Sequence, residues 1–220
     1  MSEEKHRGTR RQESAAETRR LVLGAALQEF TRSGYTRCTA ADIARAAGVS
    51  VATVYTSVGP KPDLLEALVR EGIQSAHVAE ALERVAGADS GHDVLHAIAN
   101  GTGATWQERA DVITVLLGSA AAEPRGALLL AEAQTAYRSA LDRAAERLVE
   151  LSALRPGIDA AQASVALWFY FGLHSWPRLV DEAGWSWQEA ESWLLTAAAR
   201  TLLPEPTAVP RRSHDRGTTD

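Results

Sequence analysis

The sequence is poor in the residues that most often announce a chemistry. It holds a single cysteine, Cys38, which excludes an internal disulfide framework. Its position between two predicted helices suits a small buried hydrophobe better than a redox sensor. Long apolar stretches are also missing. The longest, Val165 to Leu173, falls far short of the roughly 20 residues that a membrane-spanning helix needs. The opening MSEEKHRGTRRQESAAETRR lacks the apolar core of a secretory signal, so a cytoplasmic protein with no membrane partner is expected. No G-x-S-x-G, H-E-x-x-H, cysteine pair or carboxylate-rich metal motif occurs. Asn100-Gly101-Thr102-Gly103 follows no strand and is not a phosphate-binding fingerprint. His92 and His96, four residues apart near Asp89 and Asp93, read as ordinary surface residues of a helix rather than metal ligands. Neither an enzyme nor a bound metal or cofactor is expected.

An overall excess of positive charge is absent too, since 23 Lys and Arg face 28 Asp and Glu for a net −5. The charge is unevenly divided. Residues 1–70 carry 11 basic against 8 acidic side chains, a net +3, and residues 71–220 carry 12 against 20, a net −8. The N-terminal part is therefore the one suited to a partner that carries phosphates. Apolar content of 45% and charged content of 23% are those of a globular protein, and 220 residues suffice for a sizeable core.

What is present is helical. No stretch alternates apolar and polar residues as a half-buried strand does, so the fold class is all-α. Residues 1–14 are polar and charged and are expected to form a flexible arm, in which Arg10-Arg11 has a reach suited to a minor groove. A first helix is expected over 15–32, where Val22, Leu23, Ala26, Leu27 and Phe30 form an apolar stripe. After residue 61, Pro62 suits a helix first turn. The periodicity then predicts one connecting helix over 62–87, followed by helices near 92–103, 106–121, 125–152, 159–182 and 186–203. Residues 204–220 read as a disordered tail.

The most informative stretch is TAADIARAAGVSVATVYTSVGPK, residues 39–61. Thr39 with Asp42 three positions on makes an acidic capping box, and Gly48 fits a helix C′ position. Ser50 caps a second short helix over 51–57, which Gly59-Pro60 stops. Two short helices joined by a tight Gly-containing turn have the layout of a helix-turn-helix, whose second helix enters a DNA major groove. Val49 and Val54 suit its buried side. Val51, Ala52, Thr53, Tyr55, Thr56 and Ser57 remain for base edges, with short side chains that permit close approach. Thr39, Tyr55 and Lys61 are placed to contact phosphate oxygens, and Ser50 stands at the N-terminal end beside them. The same pattern also fits an ordinary αα-hairpin with capping hydroxyls.

Residues 18–65 resemble the N-terminal DNA-binding domain of the TetR/AcrR family of bacterial transcriptional regulators. The landmarks are Ala25-Ala26, Phe30, Gly34-Tyr35, Thr39, Ile43-Ala44, Ala47-Gly48-Val49-Ser50, Thr53, Tyr55, Lys61 and Leu64-Leu65. Two positions depart from the pattern. Ala52 stands where the family usually has Gly before the recognition-helix Thr, and Ser57-Val58 where an aromatic pair often follows the Tyr. The resemblance implies a DNA-binding domain over 15–61 and a helical ligand-binding and dimerisation domain over 62–203. It further implies a homodimer on a double-stranded, palindromic DNA operator, acting as a repressor released by a small-molecule effector. An effector-independent regulator or activator on the same fold is the first alternative, and an all-helical enzyme without a recognisable motif the second.

The second domain offers aromatic walls but no catalytic cluster. Trp106, Tyr137, Trp168, Phe169, His174 and Trp176 are candidates to line a pocket between helices, although aromatics at helical spacing commonly serve a core. Ala163 to Leu173 is apolar nearly all round, so the helix near 159–182 needs a cover on more than one side. Together with the helix near 186–203 it suits a four-helix interface between two copies. The acidity of this half points to a cationic or neutral effector.

Overall fold

The computed structural model describes residues 2–73 and 76–205, and the side chains of residues 12–71 and 77–205. The described residues are helices and turns with no strand among them. In order they form α1 (Ser2–Ser33), α2 (Ala40–Ala47), α3 (Val51–Ser57), α4 (Lys61–Ile73), α5 (Ala76–Ala86), α6 (Gly91–Ala120) and α7 (Pro124–Glu150). Then come α8 (Ala160–Phe171), the single turn α9 (Ser175–Pro177), a π-helical turn (Arg178–Glu182) and α10 (Trp187–Leu202). No helix among the described residues is long and apolar enough to cross a membrane.

Two apolar cores organise these helices. The stripe foreseen on α1 is buried: Val22, Leu23, Ala26 and Phe30 pack with Tyr35, Ile43, Val54, Leu64 and Leu65. Full burial of each of the larger of these side chains is worth about 1.5–3 kcal/mol. The same core takes in Val112, Val115 and Leu116 of α6 and Leu129 of α7. The second core joins the first half of α6, through Val94, Leu95, Ile98 and Trp106, to α7, α8 and α10. One helix thus belongs to both cores, and it changes direction between them. Arg109 leaves helical geometry at φ −127°, ψ 16°, on the boundary between Trp106 of one core and Val112 of the other.

Several helix limits differ from those expected. The helical run of α1 begins at Ser2, so the segment read as a flexible arm continues the helix rather than standing apart from it. No proline between residues 2 and 33 interrupts that run. The side chains of Arg10 and Arg11, and residues 206–220 of the expected tail, lie outside those described. Of the connecting helix expected over 62–87, Lys61–Ile73 and Ala76–Ala86 are helical as α4 and α5, and residues 74 and 75 lie outside those described. The break expected near Gly101 and Gly103 lies instead at Arg109, where α6 leaves helical geometry. A Cβ on Gly101 would run into Ala81, and one on Gly103 would stand 3.0 Å from the Trp176 ring. These glycines allow close packing of α5 and α9 on α6, which runs unbroken through both of them. The helix expected over 159–182 stops at Phe171, because Pro177 has no N–H and its ring opposes helical continuation from Leu173.

Candidate nucleic-acid interface and interhelical cavity

The α2–α3 unit is built by its caps. Thr39 Oγ1 accepts from the Asp42 N–H at 3.2 Å, and Asp42 Oδ2 accepts from the Thr39 N–H at 3.1 Å and its hydroxyl at 2.5 Å. Arg45 adds a 2.7 Å bond to Asp42 Oδ1. The bonds from Thr39 and Arg45 hold the Asp42 carboxyl down to about 2. Gly48, at φ 67°, adopts the left-handed conformation that glycine reaches without strain, and the chain turns into Ser50. Ser50 Oγ accepts from the Thr53 N–H at 3.0 Å. Val54 is buried and fixes α3 to the core beneath.

Val51, Ala52, Tyr55 and Thr56 are exposed, and Thr53 and Ser57 are half-buried. The seven-residue helix therefore presents most of its surface outward. Its hydroxyls are not equally free. Thr56 donates to the Thr53 carbonyl and Ser57 to the Val54 carbonyl, each at 3.2 Å, while Ser50 and Thr53 share a 2.8 Å bond. The Thr39 proton is held by Asp42. The Tyr55 ring is 50% exposed. Lys61 is differently occupied than its charge alone implies. Its ammonium donates to the carbonyls of Thr36 at 3.2 Å and Cys38 at 3.0 Å, and lies 4.3 Å from the centre of the Tyr35 ring. It closes the turn between α1 and α2, with one N–H left over.

This head is joined to the rest by polar links. The Tyr35 hydroxyl donates to Glu123 Oε1 at 2.5 Å, and burial together with that carboxylate pushes the phenol well above its usual range. Glu66 of α4 pairs with Arg125 of α7 and, at 2.9 Å, with Arg70. The turn between α6 and α7 and the start of α7 are thereby tied to the α1–α2 connection and to α4.

Above the head lies a cavity of about 160 Å³ between α4, α5, α6 and α7. Its walls are mostly aliphatic, including Val69, Leu82, Ile98, Ile113 and Leu117, with Trp106 and Tyr137 as the aromatic members. Burial raises the Tyr137 phenol beyond its usual range, and its hydroxyl donates to the Phe171 carbonyl. One charged residue is among the lining groups, Arg109 at the bend of α6.

The six aromatic and histidine candidates do not form one site. Trp106 and Tyr137 line the cavity. Trp168, Phe169 and His174 line an outer groove of about 370 Å³ that Tyr137 also reaches. Trp176, 1% exposed, lines neither. It donates to the Thr102 hydroxyl at 3.2 Å and stacks near Trp187, with ring centroids 5.7 Å apart. On the outer surface Phe169 is 69% exposed, and Val165, Trp168 and Trp193 are also open. Arg109 was not among the candidates and falls within the first turn of the helix expected over 106–121. Nothing in the local sequence shows that the helix bends there and brings Arg109 to the wall of an apolar cavity.

Residues 22–68 match the family model described as bacterial regulatory proteins, tetR family. A search of curated proteins finds no match. Among solved structures, native NalD, the secondary repressor of the MexAB-OprM multidrug efflux pump in Pseudomonas aeruginosa, is similar at a TM-score of 0.67 and 21% identity. That match covers 87% of this chain and all 100% of NalD. The transcriptional regulator FadR from Bacillus subtilis, in complex with stearoyl-CoA, matches at 0.66 and 16% identity over 81% of this chain and 96% of its own. A protein from Saccharomonospora viridis in complex with choline matches at 0.70 and 17% identity over 86% and 99% of the two chains. At these identities the structural likeness shows the fold alone, over most of the chain, and the family match covers the head, residues 22–68.

Proposed function

We propose that this chain, with a TetR-type head on a helical body, is a homodimeric repressor that leaves a palindromic operator when a small molecule enters the body. The observation that carries this reading is the outward face of α3, with Val51, Ala52, Tyr55 and Thr56 exposed on a helix fixed from behind by Val54. Each subunit would lay Val51–Ser57 in a major groove. Two-fold symmetry would set the half-sites about one helical turn, roughly 34–36 Å, apart.

Tyr55 is the phosphate contact the geometry favours. Lys61 acts mainly by holding the α1–α2 turn and adds its remaining N–H to the backbone contact. Ser50 and Thr39 serve through their caps, and Thr53, Thr56 and Ser57 complete the surface against the groove. The exposed apolar faces of α8 and α10 are the surface for a second copy, as their aromatic content fits a buried interface. Release follows from α6 sharing both cores. A ligand that wedges the cavity shifts the far half of α6, and with it the head tied through Tyr35, Glu123, Glu66 and Arg125. A coupling of about 1–3 kcal/mol is enough for such a switch. NalD is described as a repressor, which supports the sign of regulation proposed.

Enrichment of bound fragments from the source genome tests the proposal. The expected result is a small set of fragments sharing an inverted repeat. Absence of any preferred fragment at low ionic strength would refute it.

A further inference from the structure

Resting on the reading of the cavity as the ligand site, we infer that it takes a small uncharged apolar compound, about one ring in size, and rejects ions of either sign. Size bounds the ligand first. The cavity of about 160 Å³ is close to the roughly 150 Å³ apolar cavity that stays dry and binds benzene. A monocyclic aromatic or an equally compact aliphatic compound therefore fills it. Ile98, Ile113, Leu117 and Leu130 give it aliphatic walls, against which apolar surface is favourably removed from water.

The hydroxyl protons among the lining residues are already used. Thr102 donates to the Ile98 carbonyl at 2.9 Å and accepts from the Trp176 indole at 3.2 Å. Thr105 donates to the Gly101 carbonyl at 2.7 Å, and Tyr137 to that of Phe171. The Arg109 guanidinium is paired at 2.9 Å with the exposed Glu108. Its Nε has no partner but is closed to the cavity as well as to solvent. Trp106 adds at most one neutral N–H. An anion would thus give up its water with no free cation to meet it. A cation fares no better, because no aspartate or glutamate is among the described lining residues. The cavity therefore opposes the cationic effector that the acidity of residues 71–220 suggests. Position gives the ligand its leverage. Val69, Val112 and Leu116 of the first core and Ile98, Trp106 and Leu141 of the second share this wall, so one apolar molecule gains contacts in both cores, on either side of the bend at Arg109.

The test uses three probes with one ring and different charge: toluene, benzoate and benzylamine, the last protonated at neutral pH. Each is titrated calorimetrically into the full chain at that pH. Toluene is expected to bind about 100-fold or more tighter than either ion. Ala140→Phe, which adds a ring to the cavity wall, is expected to abolish toluene binding. Arg109→Met is expected to leave toluene affinity within about two-fold of wild type, since no charge takes part. Equal or tighter binding of benzoate or benzylamine by the wild-type chain overturns the inference, as does failure of toluene to bind at millimolar concentration. Toluene binding retained by a folded Ala140→Phe chain overturns it too. The wild-type comparison decides the matter even if that variant does not fold. Sequence-selective DNA binding without a preference for toluene would sink this inference alone. Preference for toluene without sequence-selective DNA binding would sink the repressor reading instead.

Discussion

The head and the body of this molecule solve opposite problems. The head is closed inside, with Val22, Ala26, Phe30, Ile43, Val54, Leu64 and Leu65 at most 1% exposed, and α2 and α3 are both capped at their N-termini by side chains. What it shows outside is short and mixed in polarity. The body is open inside, with a cavity, and outside it presents Val165, Trp168, Phe169 and Trp193 to solvent. A rigid part suits the reading of a fixed surface, whereas an incompletely packed part can gain packing when another molecule arrives. The link between them is α6, one half in each core.

Mutations can break this contrast at graded strength. Phe30→Ala should be the most damaging, destabilising the fold by about 3–5 kcal/mol through the cavity it leaves in a closed core, as measured by denaturant unfolding. Phe169→Asp should leave the folded subunit's helicity unchanged but weaken self-association by about 2 kcal/mol or more if that aromatic anchors the proposed interface, which sedimentation equilibrium would register. An unaltered dimer would remove α8 from the interface. Ser50→Ala should cost about 1 kcal/mol of stability through the lost α3 cap, and operator binding should fall with it. Tyr55→Phe sharpens the contrast from the other side. Melting should be unchanged while operator affinity drops several-fold, by about 0.5–1.5 kcal/mol for one hydrogen bond. Unchanged affinity in a gel shift would transfer the phosphate contact to another side chain.

The smallest effect is one of pH. The Asp42 carboxyl sits at about 2 in the fold, below its unfolded value of about 3.9. Its stabilisation of the α2 cap is thus fully present above that unfolded value and is lost as pH falls towards 2. Amide exchange at the start of α2 should accelerate over that interval in the wild type. In Asp42→Asn the acid-dependent step should be absent.

The two regions were also unequally legible in the amino-acid sequence. Thr39, Asp42, Gly48 and Ser50 act within a few residues of themselves, so the caps and limits of α2 and α3 followed from spacing, and the family match over 22–68 agrees with the landmarks there. Gly101 and Gly103 behaved differently. Their local preference is to interrupt a helix, but contacts with Ala81 and Trp176, distant in the chain, make them packing sites in a continuous one. Trp176 likewise resembled a pocket wall until its place beside Gly103 and Thr102 made it core. Lys61 shows the same limit within the head, since its proximity to two carbonyls from 25 and 23 residues earlier is invisible to spacing. Arg109 needed both a helix bend and a cavity to become visible.

The most direct test of the division between a reading head and a responsive body is footprinting of the wild-type protein on an enriched genomic fragment. Two protected patches on one face of the duplex, their centres one helical turn apart, are the expected result, and they should vanish when Val54→Asp dislodges α3. A single patch, protection spread evenly along the fragment, or a footprint that survives Val54→Asp would contradict it.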